Sequence, residues 1–146
     1  MDLSGLKWPA IILAVTGLIW LVSSGGVNYM VGSFTKVPVG QDAARDKSDE
    51  AGLTSVGTFL LWTLRYEKAA EVLTLATERY GTGGANYYFN QLRLAKCWEK
   101  LGKMEAAYKI IKDLADVNAK QYDGRIPDQA ELNGRAAKLK EVHNLQ

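Results

Sequence analysis

WPAIILAVTGLIWLVSSGGVNYMVGSFT, residues 8–35, carries no charged side chain, and its reading decides how the rest of the chain must be organised. A helix rises about 1.5 Å per residue, so about 20 mostly apolar residues cross the roughly 30 Å of bilayer hydrocarbon. Residues 8–22 are too few on their own. Continued through Ser23, Ser24, Gly25 and Gly26 to about Val31, the helix reaches about 24 residues, with Trp8 at one interface and Tyr29 near the other. Pro9 then falls in the first turn, where its missing N–H costs nothing. The expectation is one retained transmembrane helix within a segment 1–35. The competing reading is a cleavable secretory signal, with Lys7 as its basic end, residues 11–22 as its apolar stretch and residues 23–26 as its processing site.

Ala10, Ala14, Gly17, Leu21, Ser24 and Asn28 follow a spacing of four and three and so share one face of that helix. Five of the six are small or polar. Apolar surface gains little from hiding in lipid, whereas small residues let two backbones approach and an amide can bond across, so this face is expected to pack on another helix. Chance alignment of small residues is the alternative. Counting only Lys and Arg, Lys7 flanks one side and Lys36, Arg45 and Lys47 the other, with the immediate flanks nearly tied. The expected location is a single-pass position in a membrane, the bacterial inner membrane, with a lean toward export of the larger part to the periplasmic side.

Residues 36–49, KVPVGQDAARDKSD, mix Pro, Gly and alternating charge, which suits a solvated linker. The remainder, residues 50–146, is enough for one small helical domain. The whole chain has 18 Lys and Arg against 16 Asp and Glu. That balance gives no case for nucleic acid. Cys97 is the only cysteine, which excludes an intrachain disulfide and reads as a small core residue. Helix-period apolar positions run through Leu53, Val56, Leu60, Leu61 and Leu64, then Ala69, Val72, Leu73 and Ala76. A second set runs through Leu92, Leu94, Ala95, Trp98 and Leu101, then Met104, Ala107, Ile110, Ile111 and Leu114. Gly81 and Gly102 mark helix ends. After Pro127, Asp128 is placed to cap a closing helix over 128–145, with Leu132, Ala136, Leu139 and Val142 as its stripe.

The two sets superpose at a constant offset of 38 residues: Gly57 on Ala95, Leu60 on Trp98, Ala69 on Ala107, Leu73 on Ile111, Ala76 on Leu114. A fixed period of this size points to stacked helical hairpins, about 50–83 and 88–121. On these residues the chain resembles the tetratricopeptide repeat family. Leu94 and Ala95 stand for its paired Leu and Gly, Trp98 for its aromatic, Gly102 for its turn glycine and Ala107 for its small residue. In the first copy Leu64 occupies the turn-glycine position, and the four residues beyond the usual period of 34 fit the Gly-rich insertion. The fold expected is therefore all-α, a transmembrane helix followed by a small hairpin domain with a C-terminal capping helix. An unrelated helical bundle is the alternative, and two repeats are fewer than the three or so that usually stack stably.

No residues assemble into a catalytic, metal or cofactor site. His143 stands at the end of the chain, Cys97 in a helix core, and residues 81–84 lack the Lys-Ser/Thr continuation that cradles phosphate. The chain is expected not to be an enzyme and to use no cofactor. The repeat resemblance implies a concave groove lined by the first helix of each hairpin, with Thr54, Thr58, Leu61 and Trp62 beside Phe89, Leu92, Lys96 and Glu99. Trp62 and Phe89 would be its anchors if exposed, and core residues if not. Arg93, Lys96, Lys100 and Lys103 form a basic stripe that could meet an acidic subunit or lipid headgroups, or be a solvated face. The function expected is that of a single-pass subunit or assembly factor of a larger membrane complex. Its partners would be other membrane-protein subunits, membrane lipid and a second copy of the chain. A membrane-anchored adaptor or import-receptor-like chaperone that binds clients transiently is the alternative.

Overall fold

The structure, a computed structural model, describes residues 4–145; the first three residues of the expected N-terminal tail and Gln146 lie outside them. The described residues form seven α-helices and two short 3-10 turns, with no strand, so the all-α expectation holds. They divide into two compact units that meet between residues 36 and 37.

The first unit holds α1 (Ser4–Val22) and α2 (Ser24–Phe34). The expected continuous helix is broken at Ser23, where the two helices meet at a bend of 71°. The sequence makes that break in two ways. The Ser23 hydroxyl donates to the Trp20 carbonyl at 2.6 Å and accepts from the Gly26 amide at 3.3 Å, capping α2 while its own backbone is extended. Gly26 then lets the second helix lie against the end of the first: a Cβ there would stand 2.6 Å from Leu21 Cα. Pro9 lies inside α1 rather than in its first turn, because the helix begins at Ser4, and it removes one intrahelical bond. Among the described residues no single helix is long and apolar enough to cross a membrane, whereas the bent pair meets that requirement taken together.

The second unit starts before the expected domain. Residues 43–49 of the expected linker are the first two turns of α3 (Ala43–Trp62). Asp42 caps that helix by accepting from the Ala44 and Arg45 amides at 2.9 and 3.2 Å, and Arg45 Nε pairs with the buried Asp49 at 2.9 Å. Ahead of it, the Val37 carbonyl accepts from Arg79 of α4 (Tyr66–Tyr80). Capping and pairing therefore turn what composition reads as a tether into ordered chain.

The helices α5 (Tyr87–Lys100), α6 (Met104–Asp116) and α7 (Gln129–His143) follow, and each of α3 to α7 packs chiefly on its neighbour in sequence. Three-residue connections make α3–α4 and α5–α6 antiparallel hairpins. Gly57 marks the first crossing, since a Cβ there would lie 2.6 Å from Leu73 Cδ2. Of the ten residues paired at the 38-residue offset, all are buried except Trp98, which is half-buried.

The repeat extends to the backbone. At the end of α3 the amides of Thr63, Leu64 and Arg65 donate to the carbonyls of Phe59, Leu61 and Leu60; at the end of α5 those of Leu101, Gly102 and Lys103 donate to Cys97, Glu99 and Trp98. The two sets are the same Schellman turn, 38 residues apart. Its left-handed position is Gly102 in one copy, at φ 75°, and Leu64 in the other, at φ 61°. A side chain there costs about 1–2 kcal/mol that glycine does not incur. Asp128 caps α7 as expected, accepting from the Glu131 amide at 2.8 Å. Leu132 and Ala136 close the second core over Ala95, Ile111, Leu114, Ala119 and Ile126.

Candidate functional site

The expected concave surface resolves into parts with different fates. Leu61, Trp62 and Lys96 come together in a groove of about 410 Å³ between the C-terminal end of α3 and α5, joined by Leu64, Tyr66, Arg93 and Lys100. Trp62 is 77% exposed, which settles it as a surface residue, and Leu64 is 69% exposed. Thr54 is buried and Thr58 half-buried. Leu92 packs on the core of the second hairpin and α7. Glu99 is drawn away by Arg135 of α7, with which it pairs at 2.5 Å. Phe89 is half-buried and lies against two guanidinium groups, those of Arg93 at 4.3 Å and Arg125 at 4.1 Å from the ring centroid.

The basic stripe is also divided. Arg93, Lys96 and Lys100 share the groove. Lys103 does not, because the left-handed turn at Gly102 carries it around the helix end, where its ammonium stacks 4.6 Å from the centre of the Trp98 ring. It lines a different groove, of about 600 Å³, together with Glu67, Glu71 and Glu78. No carboxylate lines the groove that holds the other three cations. Lys96 and Lys100 form no ion pair among the described residues. Arg93 has a buried Nε with no hydrogen-bond partner. Burial first, then the neighbouring charge of Arg125, pull the Arg93 guanidinium below its ordinary value, and an arginine still remains charged at neutral pH.

Two further features were not visible as function in the residue pattern. Glu50, 3% exposed, accepts from the Ala85 and Asn86 amides at 3.0 and 2.7 Å and so fastens α3 to the start of α5. Gly84 makes room for it, since a Cβ there would stand 2.6 Å from Glu50 Oε1. Arg125 donates to Asn86 Oδ1 at 3.0 Å while pairing with Asp123 at 2.7 Å, and that hydrogen bond holds the Asp123 carboxyl below the usual carboxylate range. Only the charge of these residues could have flagged them, since their partners lie 35 to 40 positions away or across a loop.

No family model, no curated protein and no solved structure matches the chain.

Cys97 is fully buried, and burial raises its thiol to about 11, so it is protonated at neutral pH and unsuited to nucleophilic work. Among the described residues no cluster of three or more His, Cys, Asp or Glu is arranged to hold a metal ion. In the first unit Ala10, Ala14, Gly17 and Leu21 lie on α1, while Ser24 and Asn28 lie beyond the bend on α2. The expected six-residue face is thus not continuous; its first four positions are exposed along α1, and nothing lies within 4 Å of a Cβ placed on Gly17.

Proposed function

We propose that this protein is a non-catalytic, membrane-held subunit or assembly factor of a larger membrane complex, inserted through the bent pair α1–α2 and holding a partner protein through its repeat-like helical domain. The observation that carries the reading is the exposure of α1. Every side chain over residues 7–22 is exposed, and ten of them are large and apolar, from Trp8 to Val22. Water does not tolerate an apolar surface of that extent without cover, so the helix calls for lipid or other helices around it. The exposed row Ala10, Ala14 and Gly17 suits close approach by a neighbouring helix. The duplicated hairpins, similar in pattern to tetratricopeptide repeats, support a role in protein recognition.

Purification of the native protein from membranes in mild detergent tests the proposal. A stable assembly larger than one chain is expected, and Gly17→Leu should release the chain from it. Recovery of the wild type as a monodisperse monomer, or from the soluble fraction, refutes it. The exposed Trp62 and Leu64 also favour a second reading, a membrane-anchored adaptor that grips clients transiently. Replacing residues 8–34 by an unrelated apolar helix separates the two: an adaptor keeps its function, and a docked subunit loses it.

A further inference from the structure

We propose that the groove between the end of α3 and α5 is the docking site for an acidic segment of a partner protein, which seats an apolar side chain among Trp62, Leu64 and Tyr66 and carboxylates against Arg93, Lys96 and Lys100. The inference builds on the partner-binding reading above and gives that partner a chemistry. Three observations carry it. The first is charge: three cations line the groove and no carboxylate does, so the unmet charge is all of one sign. An oppositely charged ligand is steered to such a surface and oriented on it.

The second is the placing of apolar surface. Trp62 and Leu64 are the two most exposed large hydrophobic residues of residues 37–146, and both border the same cations. Aromatic and aliphatic anchors within a charged rim are the usual make-up of a surface where a few side chains carry binding. The third is Leu64 itself. Its backbone occupies the left-handed conformation that Gly102 occupies at the matching turn, so a residue that would relax this turn is available and is used 38 positions later. A leucine 69% exposed in a strained turn gains little for the fold, and strain of this kind gathers at binding sites. The groove is concave, with a volume of about 410 Å³, which suits the side chains of an extended segment better than the broad face of a bilayer.

The test uses the full chain in nonionic detergent and a short fluorescein-labelled peptide in which aspartates and glutamates alternate with leucines. Fluorescence anisotropy should report binding that weakens as salt rises. Lys96→Glu combined with Lys100→Glu should weaken it by about tenfold or more. Leu64→Gly is the sharper variant: it should raise the melting temperature by about 4 °C while also weakening the peptide about tenfold. A fold defect cannot imitate that pair of effects. The proposal is overturned if the wild type fails to bind the peptide, if a lysine-leucine peptide binds as well, or if the charge reversals leave affinity unchanged. It is also overturned if phosphatidylglycerol added to the detergent micelles displaces the peptide through Lys96 and Lys100, which would give the groove to lipid. Self-association abolished by the same two reversals would give it to a second copy and overturn it likewise. The two readings fail separately: an intact native complex with no peptide binding removes only the groove, whereas a native monomer removes the subunit role.

Discussion

Replacing Glu50 by alanine tests whether the link between the two hairpins is as strong as its geometry implies. The carboxylate is 3% exposed and takes two amide donors at 3.0 and 2.7 Å, from Ala85 and Asn86. Hydrogen bonds to a charged group contribute about 1.5–3 kcal/mol each, and their removal leaves two amides at the start of α5 without an acceptor. Against this stands the cost of keeping a carboxylate out of water, which the variant no longer bears. The net loss should be about 3 kcal/mol, or roughly 10–20 °C in melting temperature for a domain of this size. Thermal unfolding followed by circular dichroism in detergent measures it. Gly84→Ala should act on the same contact, because its Cβ would stand 2.6 Å from Glu50 Oε1. The two changes should therefore be less than additive. A Glu50→Ala loss below about 1 kcal/mol, or full additivity with Gly84→Ala, would refute the reasoning.

Three other outcomes are expected. Cys97 should resist thiol reagents at pH 8 in the folded protein and react in urea, since burial raises its thiol to about 11; rapid labelling of the native chain would contradict this. Asp123 has its carboxyl lowered by Arg125, so its contribution is complete above the ordinary value of about 3.9 and fades as pH falls through the depressed folded value. The stability gap between wild type and Asp123→Asn should accordingly be present at pH 7 and close below about pH 4 in melts across that range. Gly26→Leu should open the 71° bend between α1 and α2, because a side chain there meets the backbone of Trp20 and Leu21. Spin-label distances between residues 12 and 31, in a Cys97→Ser background, would lengthen; an unchanged distance would mean that Gly26 does not set the angle.

The duplicated hairpins were legible in the chain because small and large residues recur at a fixed offset, and the same offset governs the turn hydrogen bonds at Leu64 and Gly102. Trp62 was legible only as a candidate anchor, since its exposure depends on where α3 ends. Three features were hidden for definite reasons. The break at Ser23 needs the approach of Gly26 to the end of α1, which apolar periodicity does not register. The division of the basic stripe follows from the reversal of the chain after Gly102, so that Lys103 leaves a face it shares only if the helix continues. Glu99 leaves the groove because α7 brings Arg135 to it, a contact set by tertiary packing alone.

The Glu50 contact also bears on the order in which the second unit comes together. Helices that pack on their neighbours in sequence fold through short-range contacts, which favours rapid assembly as the chain is synthesised. Glu50 is an exception, since its donors lie 35 and 36 residues further on. When α3 and α4 have emerged and α5 has not, that carboxylate has only water in place of its two amide donors. The first hairpin is thus left unfinished until residues 84–86 arrive, and the second is keyed to it at the moment its first turn forms.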